Sequence, residues 1–162
     1  MKVLLVGAGN IGKILMKELK AMRHEVSVMD HSAEVCEELA KDFDVMVFKG
    51  DMTNLDDLEE LRINKFDLFI AVTGDESNNM LGCVLAKDMG VKKSIARIHD
   101  PRLAKMANKL GITNTICPEI AAAETGKGDD GEPREGEPAG LGVESADLSP
   151  EERERKPALE AQ

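Results

Sequence analysis

The sequence predicts an α/β protein, a doubly wound parallel sheet with helices on both faces and strand order 3-2-1-4-5-6. Two features support this prediction. Apolar runs of strand length alternate five or six times with helical patterns, and the connections between them are short. A glycine-rich turn also follows the first apolar run directly, where such a sheet makes its first strand-to-helix connection.

The glycine-rich turn has the spacing Gly-x-Gly-x-x-Gly. Its residues are Gly7, Ala8, Gly9, Asn10, Ile11 and Gly12. Gly7 permits the tight turn, Gly9 lets a pyrophosphate approach the backbone, and Gly12 lets the next helix pack closely on the strand. The N-terminus of that helix offers unpaired N–H groups and a positive dipole to the phosphates. The turn therefore predicts a Rossmann-type nucleotide site.

An acidic residue completes this pattern. Asp30 closes the second predicted strand, roughly 20 residues after the glycines. A carboxylate there accepts hydrogen bonds from both ribose hydroxyls and repels a 2′-phosphate. Chance glycine turns with this spacing are common, but here strand, helix and acidic residue fall in register. The sequence therefore favours NAD(H) over NADP(H).

The first half of the chain is predicted to hold strands at 2–6, 25–29 and 45–48. The first helix is expected to bury one apolar stripe, made of Ile11, Ile14, Leu15, Leu19 and Met22. We expect Ser32 to cap the second helix and Thr53 the third, with Asp56 in a capping-box position. The inward residues of the third helix are predicted to be Leu55, Leu58 and Leu61.

The second half is predicted to hold strands at 66–72, 94–98 and, more weakly, 114–116. The run 66–72 is almost wholly apolar, which is typical of a central parallel strand covered on both faces. Asp100 followed by proline marks the start of the last long helix. That helix is expected to bury Leu103, Met106 and Leu110.

The composition changes near Gly126 and divides the chain in two. We expect residues 1–125 to form the nucleotide-binding domain, closed by a short Ala-rich helix from Pro118, and residues 126–162 to form a disordered acidic tail. The segment 126–162 has 11 acidic and 5 basic residues, more than half of the net charge of -10. Its few apolar residues are isolated, so burial cannot offset the entropy of ordering it.

Charge and apolar patterning also exclude several classes of partner and site. The acidic balance, without a cluster of Lys and Arg, argues against a nucleic-acid partner. The first strand begins at once, and no apolar run approaches the ~20 residues of a membrane span, so we expect a cytoplasmic protein. Three cysteines without Cys-x-x-Cys spacing indicate neither a disulfide framework nor a zinc site.

Small and polar residues follow the carboxyl ends of the later strands, where ligands of such sheets bind. They are Asp51, Met52, Thr73, Gly74, Asp75 and Arg97. We expect Asp51 at the adenine or ribose edge, and Thr73 and Gly74 on the wall opposite the glycines. Capping of the following helices is the alternative role for Asp51 and Asp75.

Arg97 is the most informative of these residues. An arginine that ends an apolar strand needs an anion, and either the dinucleotide phosphates or Asp75 would serve. Asn78 and Asn79 lie at a helix start facing the same crevice, although exposed polar residues without a role are nearly as good an interpretation. His99 follows the fifth predicted strand, but the sequence does not identify a general acid–base pair, so it favours a binding protein over an enzyme.

Five stretches in order carry a resemblance to a known family. They are Val6–Gly12, Lys49–Asp51, Ala71–Asn79, Ile95–Ile98 and Pro118–Glu119. Over roughly residues 1–123 the chain closely resembles the N-terminal RCK/KTN (TrkA-N) domain of the Trk-type potassium-uptake regulators.

The resemblance implies a cytoplasmic regulatory subunit, peripheral at the inner face of the membrane. Such a subunit binds NAD(H), forms a homodimer or higher oligomer through its Rossmann domains, and gates an integral membrane potassium transporter. By position, the implied nucleotide contacts are Gly7, Ala8, Gly9, Asn10, Ile11, Asp30, Asp51, Met52, Thr73, Gly74 and Arg97.

Two alternatives remain open at the level of sequence. The first is the nucleotide-binding half of an NAD-dependent oxidoreductase. The second is an ATP- or ADP-sensing regulator, although such relatives carry an arginine where Asn10 stands. Family members commonly add a second, C-terminal ligand domain or a second copy of the unit, whereas 126–162 is short and acidic.

Overall fold

The structure, a computed structural model, describes residues 1–118. The expected Ala-rich helix after Pro118, the boundary at residue 125 and the acidic tail lie outside the described residues. The strands are β1 (Lys2–Val6), β2 (Glu25–Asp30), β3 (Met46–Lys49), β4 (Leu68–Ala71), β5 (Lys93–Arg97) and β6 (Asn114–Ile116). The helices are α1 (Asn10–Ala21), α2 (Ala33–Asp42), α3 (Leu55–Glu60), α4 (Glu76–Asp88) and α5 (Pro101–Lys109), with a 3₁₀ turn at Ile63–Lys65.

The six strands form one parallel sheet in the order β3-β2-β1-β4-β5-β6, which confirms the predicted topology. The order reverses between β1 and β4, since the chain crosses from β3 back past β1. In sheets of this kind the crevice at the reversal is where ligands bind. The carboxyl ends of β1 and β4 therefore mark the candidate site.

Two apolar layers cover the sheet. Side chains of β1 and β4 alternate between them, so that Leu4 and Phe69 lie in one layer while Leu5 and Ile70 lie in the other. Helices α1 and α2 cover the second layer, and α3, α4 and α5 cover the first. Strand β4 is buried along its whole length, as predicted for a central parallel strand.

Several residues expected to face inward are exposed. They are Ile14, Met22, Leu55, Met106 and Leu110, with exposed fractions between 46% and 59%. The stripe prediction for α1 was wrong at Ile14 because the buried positions are Gly12, Leu15, Met16 and Leu19. At about 100° per residue, Ile14 falls on the face opposite to these.

The predicted cap of α3 was also wrong. Asn54, and not Thr53, is the N-cap, and its side chain accepts a hydrogen bond from the Asp56 N–H at 2.9 Å. Thr53 is held instead by Asp51, which accepts from both its N–H and its hydroxyl group. The turn after β3 therefore uses Thr53, and the helix begins one residue later. The predicted caps Ser32, Asp75 and Asp100 are confirmed.

The cysteines and the helices carry two further observations. Cys36 and Cys83 are free thiols, and burial raises the pKa of the Cys83 thiol to about 12. Within residues 1–118 no group of His, Cys, Asp and Glu is placed to hold a metal ion. In the same residues no helix has the length and apolarity needed to cross a membrane.

The contact of α1 with β1 should tolerate no side chain at Gly12. A Cβ atom there would overlap the Gly7 carbonyl oxygen, whereas one at Gly9 would meet no atom within 4 Å. We expect Gly12→Ala to lower the free energy of unfolding by about 1–3 kcal/mol, the usual cost of overpacking. Urea unfolding followed by far-UV circular dichroism measures this. The matched variant Gly9→Ala should change stability much less, and equal effects of the two substitutions would refute the argument.

Candidate functional site

A cleft of about 340 Å³ opens at the carboxyl ends of β1 to β4. Six of the predicted nucleotide contacts line it, namely Gly7, Asp30, Asp51, Met52, Thr73 and Gly74. Asp75 and Asn78, which the sequence also placed at this crevice, border it together with His31. The remaining predicted residues lie in the turn and first helical residues after β1, or at the end of β5. The structure thus brings residues from four strand ends into one concave surface.

The glycine turn runs between strands β2 and β4. The Gly7 N–H donates to the Met29 carbonyl oxygen at 2.9 Å, and Gly7 has a φ of +98° that favours glycine. A Cβ atom on Gly7 would lie only 3.0 Å from the Thr73 nitrogen. The turn is therefore packed directly against the end of β4, and its conformation depends on that neighbour.

Helix α1 begins without a side-chain cap. Its N-cap is Gly9, and its first turn contains no acidic residue. The other α-helices within residues 1–118 are each capped by a side chain that accepts a backbone N–H. The first-turn N–H groups of α1 have no intrahelical acceptor, so they and the helix dipole are suited to an anion such as a diphosphate.

Asp30 connects the glycine turn to helix α2. It is 8% exposed, and its carboxylate accepts from the Ala8 N–H at 2.9 Å and from the Ser32 N–H at 2.9 Å. Sequence reasoning did not foresee this role, because a bond between residues 22 positions apart has no local signal. A carboxylate offers about four acceptor positions, so two remain for hydroxyl donors such as those of a ribose.

Asp51 and Met52 form the edge of the cleft beyond β3. Asp51 is exposed, and the bonds from the Thr53 N–H and then the Thr53 hydroxyl lower the pKa of its carboxyl group. It is therefore anionic at neutral pH. Met52 is 5% exposed and packs on α4, where a Cβ atom at Gly82 would lie 2.7 Å from its sulfur. Met52 thus contributes an apolar surface beside the Asp51 carboxylate.

Asn79 is the polar residue whose place the sequence left open, and it proves to be fully buried. Its amide oxygen accepts from the Thr73 N–H at 3.1 Å and from the Thr73 hydroxyl at 2.6 Å. Its amide nitrogen donates to the carbonyl oxygens of Thr73 and Arg97. The interpretation as exposed filler was wrong for Asn79. Its helical spacing to the buried Cys83 and Ala86 was the available signal.

Arg97 ends β5 on the side of the sheet that α1 covers. Its neighbours Ala96 and Ile98 belong to the opposite layer, and alternate residues of a strand face opposite sides. The Arg97 Nε atom is buried without a hydrogen-bond partner. Within residues 1–118 no ion pair joins Arg97 to Asp75, which is instead the cap of α4. A buried guanidinium donor on this side of the sheet is suited to an anionic group.

Comparison with known proteins places this geometry in a family. The TrkA-N domain model matches residues 3–118. The chain belongs to the TrkA-N domain family. The matched range contains the glycine turn, every predicted site residue and, apart from Lys2, the six strands of the sheet.

Curated relatives of this TrkA-N chain are about one-third identical to it over the aligned regions. The Trk system potassium uptake protein TrkA homolog of Methanothermobacter thermautotrophicus is 33% identical over 123 residues, which are 76% of this chain and 57% of that protein. The Trk system potassium uptake protein TrkA of Halomonas elongata is 34% identical over 121 residues, which are 74% of this chain and 26% of that protein. The chain therefore spans only part of the length of these relatives.

Solved structures share the fold at lower identity. The TrkA-N domain of the inner membrane protein ybaL from Escherichia coli has a TM-score of 0.70 at 21% identity, covering 76% of this chain and 92% of that one. The GsuK channel bound to NAD has a TM-score of 0.69 at 19% identity, covering 77% of this chain and 23% of that one. The AMP-bound Kef CTD of Shewanella denitrificans has a TM-score of 0.64 at 23% identity, covering 77% and 75%. At these identities the likeness shows the fold.

The two bonds of Asp30 should make it a structural residue as well as a site residue. We expect Asp30→Ala to lower the free energy of unfolding by about 2–4 kcal/mol, because the Ala8 and Ser32 N–H groups lose their acceptor. Urea unfolding of the protein alone measures this. The exposed Asp51→Ala should cost less than about 1 kcal/mol. A loss no larger for Asp30→Ala than for Asp51→Ala would show that the two bonds contribute nothing to stability.

Proposed function

We propose that this chain binds NAD(H) and acts as the nucleotide-sensing part of a regulator of potassium transport. The observation that carries the proposal is the juxtaposition of an uncapped helix start after Gly9 with the buried carboxylate of Asp30. The helix start is suited to a diphosphate, and the carboxylate is suited to ribose hydroxyls. Family membership and the relatives' involvement in potassium uptake support the regulatory part.

The residues present fit such a ligand. In this proposal Asp30 holds the adenosine ribose, the N–H groups after Gly9 hold the diphosphate, and Asp51 and Met52 border the adenine. Thr73 and Gly74 line the wall beyond the glycine turn, and Arg97 supplies a cation to the phosphates. Bound NAD(H) would bring a nicotinamide ring whose charge differs between its oxidised and reduced forms, so the two forms could stabilise different conformations.

The partner in this proposal is an integral membrane potassium transporter, which a homodimer or higher oligomer of the chain contacts from the cytoplasm. The relatives supply this argument, since they are named as parts of Trk potassium uptake systems. A regulator of this kind can shift the transporter between two states only to the extent that its ligand has a higher affinity for one of them.

Adenine mononucleotides are the second candidate ligand. GsuK has also been solved bound to ADP, at a TM-score of 0.64 and 19% identity, covering 70% of this chain and 30% of that one. The Kef CTD was solved with AMP. A ligand of this kind lacks the nicotinamide half and would use Asp30 and the glycine turn alone, so competition distinguishes the two candidates.

Calorimetric titration with NADH tests the ligand. We expect saturable binding, with NADPH a poor competitor because Asp30 repels its 2′-phosphate. Gly9→Ala should weaken NADH binding about tenfold or more, since its Cβ atom occupies the approach of the diphosphate without disturbing the fold. If ATP or ADP binds tightly and NADH does not bind, an adenine mononucleotide takes the place of NAD(H) as the ligand. Steady oxidation of NADH with a carbonyl substrate would favour the oxidoreductase alternative.

Potassium uptake tests the regulatory part. Deleting the gene in its own host should change the rate of uptake, which Rb⁺ follows as a tracer, and the intact gene should restore that rate. The Gly9→Ala gene should fail to restore it, because the change lies in the proposed nucleotide site. Uptake that is unaffected by the deletion would contradict the proposed role.

A further inference from the structure

The first turns of α4 hold together the ends of two neighbouring strands. The Asn79 amide bonds the backbone of Thr73, after β4, and the carbonyl oxygen of Arg97, at the end of β5. Glu76, one turn earlier, accepts from the N–H groups of His99 at 2.7 Å and Asp100 at 3.2 Å. Helix α4 therefore fixes both the backbone after β4, which borders the cleft, and the backbone at the end of β5.

We propose that Asn79 is a positioning residue for the part of a dinucleotide that lies beyond the glycine turn. This inference rests on the proposed NAD(H) function. Asn79 touches no ligand in it and acts through Thr73, which borders the cleft, and Arg97, whose Nε atom is buried without a partner.

The chemistry of the amide explains why this position requires asparagine. A primary amide has two N–H donors and one oxygen with two lone pairs, and all four are used. Rotating the amide would place an oxygen against two carbonyl oxygens and leave buried polar groups unsatisfied. The side chain therefore allows one arrangement of Thr73 relative to Arg97.

Thr73 in turn contacts the glycine turn. Its backbone nitrogen lies so close to Gly7 that a Cβ atom there would approach within 3.0 Å. Arg97 lies on the side of the sheet covered by α1, the helix that starts at the same turn. Asn79 thus fixes the Thr73 backbone beside the glycine turn and the backbone that carries the Arg97 cation at the neighbouring strand end.

The adenosine side of the cleft has a separate support. Asp30 bonds Ala8 and Ser32, and neither bond involves α4 or β5. Loss of the Asn79 bonds should therefore disturb the half of the site at Thr73 and Arg97 and leave the half at Asp30 intact. Such selectivity separates a positioning role from a general contribution to stability.

The test compares NADH with AMP, the half of NAD that carries the adenosine and one phosphate but lacks the second phosphate and the nicotinamide riboside. Asn79→Asp keeps both acceptors for Thr73 and removes both donors, so we expect NADH affinity to fall about tenfold while AMP affinity changes less than about twofold. Ser77→Ala, an exposed position in the same helical turn, should leave both affinities unchanged. Asp30→Asn should weaken AMP and NADH together. Calorimetry gives the affinities, and thermal unfolding by circular dichroism gives the stability of each variant.

The outcomes separate this inference from the proposed function. If the wild-type chain binds no NADH, both are overturned. If it binds NADH but Asn79→Asp weakens NADH and AMP equally, or neither, only the role of Asn79 is overturned. If Asn79→Asp does not fold, hydrogen exchange of the wild-type Thr73 amide decides: NADH should slow it and AMP should not, and equal slowing by both refutes the inference.

Discussion

The close approach of α1 to β1 at Gly12 is the contact on which the rest of the cleft depends. There is no room for a Cβ atom between Gly12 and the Gly7 carbonyl group, so the helix starts immediately above the end of the strand. This places the uncapped N–H groups after Gly9 at the carboxyl edge of the sheet. The same turn packs on Thr73, which makes β4 the opposite wall.

Buried polar side chains give the cleft its rigidity. Asp30 ties the glycine turn to α2, and Asn79 ties the end of β4 to the end of β5. Because each satisfies backbone groups that would otherwise be buried without partners, removing either costs more than one hydrogen bond. Walls fixed in this way lower the entropy lost when a ligand binds. In the proposed function, the same residues therefore serve both stability and recognition.

The comparisons show which region the chain shares with its longer relatives. The shared region is the TrkA-N domain, and the chain spans 57% and 26% of two curated relatives. A change of ligand at the cleft can affect a partner only through differential affinity for two conformations. Hydrogen bonds of α4 side chains join Thr73, which borders the cleft, to Arg97 and to the start of α5. They are one physical connection between the cleft and helix α5.

The sequence by itself determined the strand order, the structural roles of Gly7 and Gly12 and the position of Asp30, because alternation, turn chemistry and crossover handedness are local or nearly local rules. It failed at Thr53, where two adjacent polar residues compete for one cap, and at Ile14, where an apolar residue lies on the exposed face. Only the tertiary structure decided that Asp30 and Asn79 bind backbone groups of other elements. Hydrogen bonds between residues 18 or 22 positions apart depend on how strands meet in space, which no local pattern encodes.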